Sequence, residues 1–189
     1  MATLKTVPIR YKFIAEHKKQ HIKYAVPAIY SLWEGFVKTC LSIYVKHLSN
    51  LNINRSDISI NILTHYLDTF CKFGNPRTNF DSKVKIVEDL DILFVDVIEL
   101  TPDIPTESNV NFKVLNGLLK RFCITMVDDK YQSGLNRLLL FRNKISHGEN
   151  AIKVEENDVS GFIKLIEDIM WDVLINIQDC EKRGTYKRV

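Results

Sequence analysis

The longest regular pattern of apolar residues lies between about Tyr11 and Leu51. Its apolar positions recur mostly at steps of three and four residues, which is the spacing of one face of an α-helix. We therefore predict one long amphipathic helix, or two in tandem. Pro27 is the expected joint, as a kink or a break, because proline removes a backbone donor and clashes with the preceding turn. The apolar face consists of Phe13, Ile14, Ile22, Tyr24, Ala25, Ala28, Ile29, Leu32, Trp33, Phe36, Val37, Leu41, Tyr44 and Val45.

The pattern in the middle of the chain is less regular. Ser56 or Asp57 is the expected cap of a short helix that runs to about Phe73, and a stretch with Gly and Pro follows it. The segment 81–100 fits a further helix. Its β-branched and aromatic stretch ILFVDVI leaves a short strand as the alternative.

Three more helices are predicted in the C-terminal half. The first follows a cap at Ser108 or Asn109. The second ends at Gly148, which stands where a left-handed C-terminal cap belongs. The third follows a cap at Asn157 or Asp158. Their apolar positions are Phe112, Leu115, Leu118, Leu119 and Phe122 in the first, Leu135, Leu138 and Leu139 in the second, and Val159, Phe162, Ile163, Ile166, Ile169, Met170, Val173 and Leu174 in the third.

Together these patterns predict an all-α, up-and-down bundle of five or six helices, formed as a single domain by residues 1–189. The composition agrees, because 46% hydrophobic and 26% charged residues are ordinary for a globular protein. Only seven Gly and five Pro residues argue against a sandwich of many short strands.

Charge and cysteine content narrow the classes of function. The net charge of +3 is too small for a protein that binds nucleic acid over its whole surface, so any such contact is expected to be local. The C-terminal EKRGTYKRV is a small basic tail for which contact with phosphates is one interpretation, and a solvated, frayed end is the one that we expect. The four cysteines are widely spaced and are expected to be reduced core thiols. With no signal-peptide or membrane-span pattern, we expect a cytoplasmic protein without membrane contact.

The chemistry concentrates in LLLFRNKISHGEN, residues 138–150, where an apolar run meets a polar cluster. At 100° per residue, Arg142 and Ser146 share one helix face, and Asn143 and His147 share the next. One interpretation is purely structural, because Arg, Lys and His stabilise the carbonyl end of a helix and Gly148 is an ordinary cap. The other is RNA cleavage by the neighbouring 2′-OH. An imidazole can transfer the protons, and a guanidinium can stabilise the phosphate.

The motif resembles that of the HEPN (higher eukaryotes and prokaryotes nucleotide-binding) domains. Arg142 and His147 are separated by four residues, as in the family's R-x(4–6)-H signature, and Asn143 is a polar residue common after the Arg. LLLFRNKISHG is similar to the L-x-x-x-RN-x-I-x-HG form of stand-alone prokaryotic defence and toxin proteins. The motif helix is penultimate, as it is in those proteins. Their first long helix is similar to the segment AIYSLWEGFVKTCLSIYVKHL.

The resemblance implies a HEPN-like fold and a metal-independent endoribonuclease with no cofactor. Arg142 and His147 correspond to the catalytic pair, and Asn143 to a supporting polar group. Ser146 shares the face of Arg142 and is also expected to support the site, and Glu34 is a candidate from the first helix. The family's dimers line one cleft with two motifs, so a homodimer is expected. RNA is the expected substrate, and an antitoxin or defence-system protein is the expected partner.

Other interpretations stay open. Glu16, His17 and His21 have spacing for a metal, but the flanking lysines favour a solvated helix face. Tyr30, Trp33 and Tyr44 have the rings needed to stack bases, although their positions favour the core or a dimer interface.

The main rival to catalysis is a HEPN subunit that binds RNA or a partner without cleavage. A helical dimerisation module is the third hypothesis.

Overall fold

The fold is described from a computed structural model, which covers residues 4–6, 9, 15–71, 100–106, 109–148 and 152–188. The prediction of an all-α chain is confirmed, because these residues contain helices and no strand. The segment 81–99, for which helix and strand were both open, lies outside the described residues. The helices are α1 (Ala15–Asn50), α2 (Ile60–Cys71), α3 (Phe112–Arg121), a short 3₁₀ helix (Asp129–Tyr131), α4 (Gln132–Ser146) and α5 (Glu156–Arg183).

The first helix is one continuous element through Pro27, which excludes the break, one of the two alternatives expected there. The neighbouring residues Ala25, Val26 and Ile29 are buried, and their packing outweighs the local cost of a proline, about 3 kcal/mol. Two residues assigned to the apolar face are also misplaced, because Tyr24 and Leu32 are exposed.

The chain divides into two compact units. The first comprises Met1–Lys38, Thr106–Asn116 and Val127–Leu174, and it contains the motif. The second comprises Thr39–Pro105, Gly117–Met126 and Ile175–Val189. The core of the first unit includes Ile29, Trp33, Val37, Leu115, Leu135, Leu138, Ile166 and Ile169, and that of the second includes Leu41, Val45, Leu48, Ile58, Ile62, Leu119 and Phe122.

The apolar stripes of the C-terminal half pack as the periodicity predicts. In α3 and the residue after it, all five predicted apolar positions are buried. In α5, Met170 and Leu174 are half-buried and the other six predicted positions are buried. In α4, Leu135 and Leu138 are buried while Leu139 is half-buried. A periodicity of 3.6 residues thus identifies the buried faces of α3, α4 and α5.

The predicted caps of α2 and α3 are wrong by a few residues. Before α2 the Ser59 hydroxyl, rather than Ser56 or Asp57, accepts from the Ile62 N–H at 3.4 Å. Before α3 the Asn111 side chain accepts from the Val114 N–H at 2.9 Å. The two caps predicted there were Ser108, which lies outside the described residues, and Asn109, which has a different role.

The last helix begins at Glu156, before both predicted caps, Asn157 and Asp158. The Asp158 carboxylate lies inside the first turn and accepts from the Glu155 N–H at 3.0 Å. It therefore satisfies a helix-start donor from the third helical position, as the acidic residue of a capping box does.

The expectation of a frayed C-terminal end is also wrong within the second unit. Lys187 forms an antiparallel bridge with Ile58, and the Ser59 N–H donates to the Tyr186 carbonyl at 2.8 Å. Tyr186 is buried. Its ring provides apolar area that a purely basic tail would lack, and this burial offsets the entropy of ordering the end. None of the described helices has the length and apolar character needed to cross a membrane.

Candidate active site

The motif residues occupy the last turn and a half of α4. Arg142 and Asn143 are half-buried, whereas Ser146 and His147 are exposed. The His147 N–H donates to the Asn143 carbonyl at 2.9 Å and closes the helix. Gly148 follows with φ = +75°, and its N–H donates to the Ile145 carbonyl at 3.1 Å. The prediction of a left-handed glycine cap is therefore confirmed.

Arg142 is held by three side chains of the same chain. Its Nη1 donates to the Asn143 Oδ1 at 2.9 Å and to the Asn109 Oδ1 at 3.1 Å. Its Cζ lies 4.8 Å from the centroid of the Tyr30 ring, within the range of a cation–π interaction. The guanidinium thus has a fixed orientation before any ligand binds.

The loop that carries Asn109 is anchored on α1. The Val110 N–H donates to the Tyr30 hydroxyl at 2.7 Å, and the Trp33 Nε1 donates to the Val110 carbonyl at 3.0 Å. Tyr30 and Trp33 are both buried. Burial raises the pKa of the Tyr30 hydroxyl. The nearby Glu34 carboxylate raises it further, while the Val110 N–H and Arg142 act in the opposite direction. The hydroxyl therefore stays protonated at neutral pH.

Glu34 lies one turn after Tyr30 on α1. Its carboxylate forms an ion pair with Lys38 at 2.8 Å and is half-buried. It is close enough to influence the Tyr30 hydroxyl, but no hydrogen bond or ion pair joins it to Arg142. The structure thus places Glu34 beside the support of Arg142, with Lys38 as its direct partner.

The side chains of His147 and Ser146 are not joined to this cluster. Among the described parts of the chain, neither side chain has a hydrogen-bond partner, and both are exposed. The structure therefore brings together Arg142 and Asn143, while His147 is exposed at the helix end.

Sequence reasoning missed the two side chains that hold Arg142 from outside its helix. The sequence assigns Tyr30 to the core, a dimer interface or base stacking, and Asn109 to a helix cap. The one local signal was the pair Tyr30 and Trp33, which brings two polar atoms to neighbouring positions of an apolar helix face. Asn109 had no comparable signal.

Tyr44, the third aromatic residue considered for stacking, is buried in the second unit. Its hydroxyl donates to the Phe122 carbonyl at 3.4 Å and lies 3.1 Å from the Cys180 sulfur. Its ring is therefore part of the core. Within the described ranges, no three His, Cys, Asp or Glu side chains form a group that could hold a metal ion.

The comparison with known families extends the likeness beyond the motif. The model of the HEPN_MAE_28990-like HEPN family matches residues 1–186. The chain belongs to the HEPN family. HEPN proteins include ribonucleases, and the helical fold described above is consistent with the HEPN bundle. No curated protein and no solved structure was found to match this HEPN chain.

Proposed function

We propose that this HEPN protein is a metal-independent endoribonuclease that cleaves RNA through attack of the 2′-OH on the adjacent phosphorus. Arg142 and His147 are the catalytic residues, and Asn143 is a supporting residue. The proposal combines family membership with the chemistry of the two side chains, since HEPN proteins include ribonucleases.

The observation that carries the proposal is the uncompensated charge of Arg142. Among the described residues no carboxylate forms an ion pair with it, and its fixed partners are two neutral amides and an aromatic ring. Arg137, on the same helix, is paired with Asp158 at 2.5 Å. A half-buried positive charge without a carboxylate partner is a favourable site for a phosphate.

The reaction needs two proton transfers and stabilisation of a pentacovalent phosphorus. His147 accepts the proton of the 2′-OH as the oxygen bonds to phosphorus, and Arg142 stabilises the charge on the non-bridging oxygens. The bond from phosphorus to the 5′-oxygen then breaks, and this oxygen receives a proton. The products are a 2′,3′-cyclic phosphate and a 5′-hydroxyl. A second His147 in a homodimer would supply the second proton transfer.

The biological role that we propose is that of a toxin or effector in a prokaryotic defence or toxin–antitoxin system. It rests on the likeness of LLLFRNKISHG to stand-alone HEPN proteins of such systems. An antitoxin or another protein of the system would then be a partner that restrains the activity.

The alternative function is a HEPN subunit that binds RNA or a partner protein without cleavage. One observation favours it, because Asn109, Asn143 and Tyr30 already hold Arg142 within the protomer, as in a purely structural arrangement. In that case His147 would be replaceable without any effect on RNA.

The decisive experiment is incubation of purified protein with total RNA and with a defined oligonucleotide, in EDTA, followed by analysis of the ends. We expect cleavage, with 2′,3′-cyclic phosphate and 5′-hydroxyl ends, and none at a 2′-deoxy nucleotide. His147→Ala and Arg142→Ala should each reduce the rate by about 10²–10⁴-fold, the range of general acid–base and charge-stabilising residues. Asn143→Ala should be milder. Arg137→Ala is the matched control on the same helix and should retain the activity.

Three results would contradict the mechanism. Ends with a 3′-hydroxyl and 5′-phosphate would indicate another reaction, and loss of activity in EDTA with recovery in Mg²⁺ or Mn²⁺ would indicate a metal. Full activity of His147→Ala would remove that residue from the mechanism. If the wild-type protein binds RNA but leaves it intact, the binding function is the better description.

A further inference from the structure

The arrangement around Arg142 uses one side of its guanidinium and leaves another side available. Nη1 carries two N–H groups, and its two acceptors are the amide oxygens of Asn109 and Asn143. The Nε and Nη2 donors have no acceptor among the described residues. These two donors form the side-on fork of an arginine, with parallel N–H bonds that match two oxygens of a phosphate.

The Tyr30 ring fixes the plane of this fork. With the Arg142 Cζ 4.8 Å from its centroid, the ring covers one side of the guanidinium and restrains its tilt. The ring itself cannot shift easily, because Tyr30 is 2% exposed and its hydroxyl accepts from the Val110 backbone. Arg142 thus packs against a ring that belongs to the buried face of α1.

Asn109 fixes the rotation of the fork within that plane. It precedes Val110, whose N–H and carbonyl are both bonded to side chains of α1, Tyr30 and Trp33 respectively. The position of the Asn109 amide is therefore set by the core. Its contact with Arg142 joins residues 33 positions apart in the sequence.

We propose that Tyr30 and Asn109 are positioning residues that orient Arg142 so that its Nε–H and Nη2–H fork receives the scissile phosphate. This inference rests on the proposed function for its substrate, and on the geometry above for its residues. Neither residue touches the RNA. They act by holding a long flexible side chain in the conformation that the transition state requires, where a shift of about 1 Å can cost about 10²-fold in rate.

The test uses pairs of variants that separate orientation from folding. Tyr30→Phe keeps the ring and loses the hydroxyl, whereas Tyr30→Leu loses both. Asn109→Ala loses the acceptor for Arg142. Asn111→Ala is the matched control, because this nearby asparagine caps α3 and does not contact Arg142. Each variant is first compared with the wild-type protein in thermal unfolding.

Kinetics on RNA give the first readout. We expect kcat to fall by about tenfold to hundredfold in Tyr30→Leu and Asn109→Ala, with KM within about threefold. Tyr30→Phe keeps the ring beside Arg142 but loses one of the two bonds that anchor Val110, so its kcat should lie between that of the wild-type protein and that of Tyr30→Leu. Asn111→Ala should lose melting temperature without loss of kcat. If kcat instead falls in proportion to the melting temperature across the four variants, the inference is wrong.

A second readout does not depend on RNA cleavage. The Nε–H signal of Arg142, assigned by its loss in Arg142→Lys, is followed by NMR with ¹⁵N-labelled protein while inorganic phosphate is added. The wild-type signal and that of Tyr30→Phe should carry the ring-current shift of an aromatic neighbour and respond to phosphate. In Tyr30→Leu the shift should disappear, and in Asn109→Ala the response should weaken by about tenfold or more.

The two readouts separate failure of this inference from failure of the proposed function. If the wild-type protein cleaves no RNA but the Arg142 signal behaves as expected, the proposed function is wrong and the positioning of an anion-binding arginine stands. If RNA is cleaved and the signal is the same in all variants, the positioning inference is wrong. Phosphate that leaves the wild-type Nε–H signal unchanged would also overturn it.

Discussion

Arg137 and Arg142 have the same chemistry and different surroundings on one helix. Five residues of α-helix turn a side chain by about 140°, so the two guanidinium groups face different neighbours. Arg137 pairs with Asp158 and lies 5.3 Å from the centroid of the Phe141 ring. Arg142 faces Tyr30 and Asn109 and has no carboxylate partner among the described residues. The positions of the two arginines along α4 therefore decide which of them has a carboxylate partner among the described residues.

At the same scale, the raised pKa of the Cys40 thiol predicts that the stability of the protein depends on pH. No disulfide joins the described cysteines Cys40, Cys123 and Cys180, and burial raises the pKa of Cys40 from 9.0 to about 11. Between these values the unfolded chain has lost the proton that the folded chain keeps, so stability falls as pH rises. Below about pH 9 the contribution is fully present.

We expect the free energy of unfolding to fall by about 1 kcal/mol from pH 7.5 to pH 10 through this group alone. Other groups ionise in the same range. The measurement is therefore the difference between wild-type and Cys40→Ala protein in denaturant titrations at the two pH values. An equal loss in both proteins would show that the Cys40 thiol does not carry the effect.

At the scale of an element, the end of α4 places the Gly148 cap directly after His147, the proposed catalytic residue. Gly148 has φ = +75°, and a Cβ added there would meet no atom of the described residues beyond its chain neighbours within 4 Å. The cost of a side chain at this position is therefore conformational and not steric. Because His147 directly precedes it, a change in the backbone here would also move the imidazole.

Gly148→Ala is expected to lower the free energy of unfolding by about 1 kcal/mol, since a left-handed conformation disfavours a Cβ. Gly161→Ala is the matched control. It lies within α5 with nothing within 4 Å of an added Cβ, so it should raise stability by about 0.5–1 kcal/mol. Opposite signs in urea unfolding would support this explanation, whereas a loss for both would indicate a steric cause.

At the scale of the whole molecule, the expected homodimer remains a prediction. Leu140 is 52% exposed on α4, and its steps of three and seven residues to Asn143 and His147 place it on their face. An exposed leucine next to the candidate catalytic residues is suited to a contact with a second copy. Such a contact would bring two copies of the motif together.

Leu140→Lys should therefore weaken the dimer and reduce cleavage while the protomer stays folded. Ile60→Lys is the matched control, because Ile60 is 51% exposed at the start of α2. Sedimentation at several concentrations gives the oligomeric state, and activity is measured on the same samples. A wild-type protein that is monomeric at micromolar concentration and still cleaves RNA would contradict this prediction.

The sequence by itself determined what depends on neighbours along the chain. The stripes of α3 and α5 follow from a 3.6-residue period, and the Gly148 cap follows from the freedom of glycine at positive φ. The polar motif at the end of α4 could be located for the same reason. The sequence does not fix the helix starts in this way, because several nearby Ser, Asn and Asp side chains can each act as a cap.

Only the tertiary structure decided which distant groups meet. The bond between Val110 and Tyr30 joins residues 80 positions apart, and that between Arg142 and Asn109 joins residues 33 apart. Burial of neighbouring residues also keeps α1 continuous through Pro27, and the bridge between Ile58 and Lys187 orders the C-terminal end. Local preferences amount to a few kcal/mol at most, so burial against distant parts of the chain overrides them.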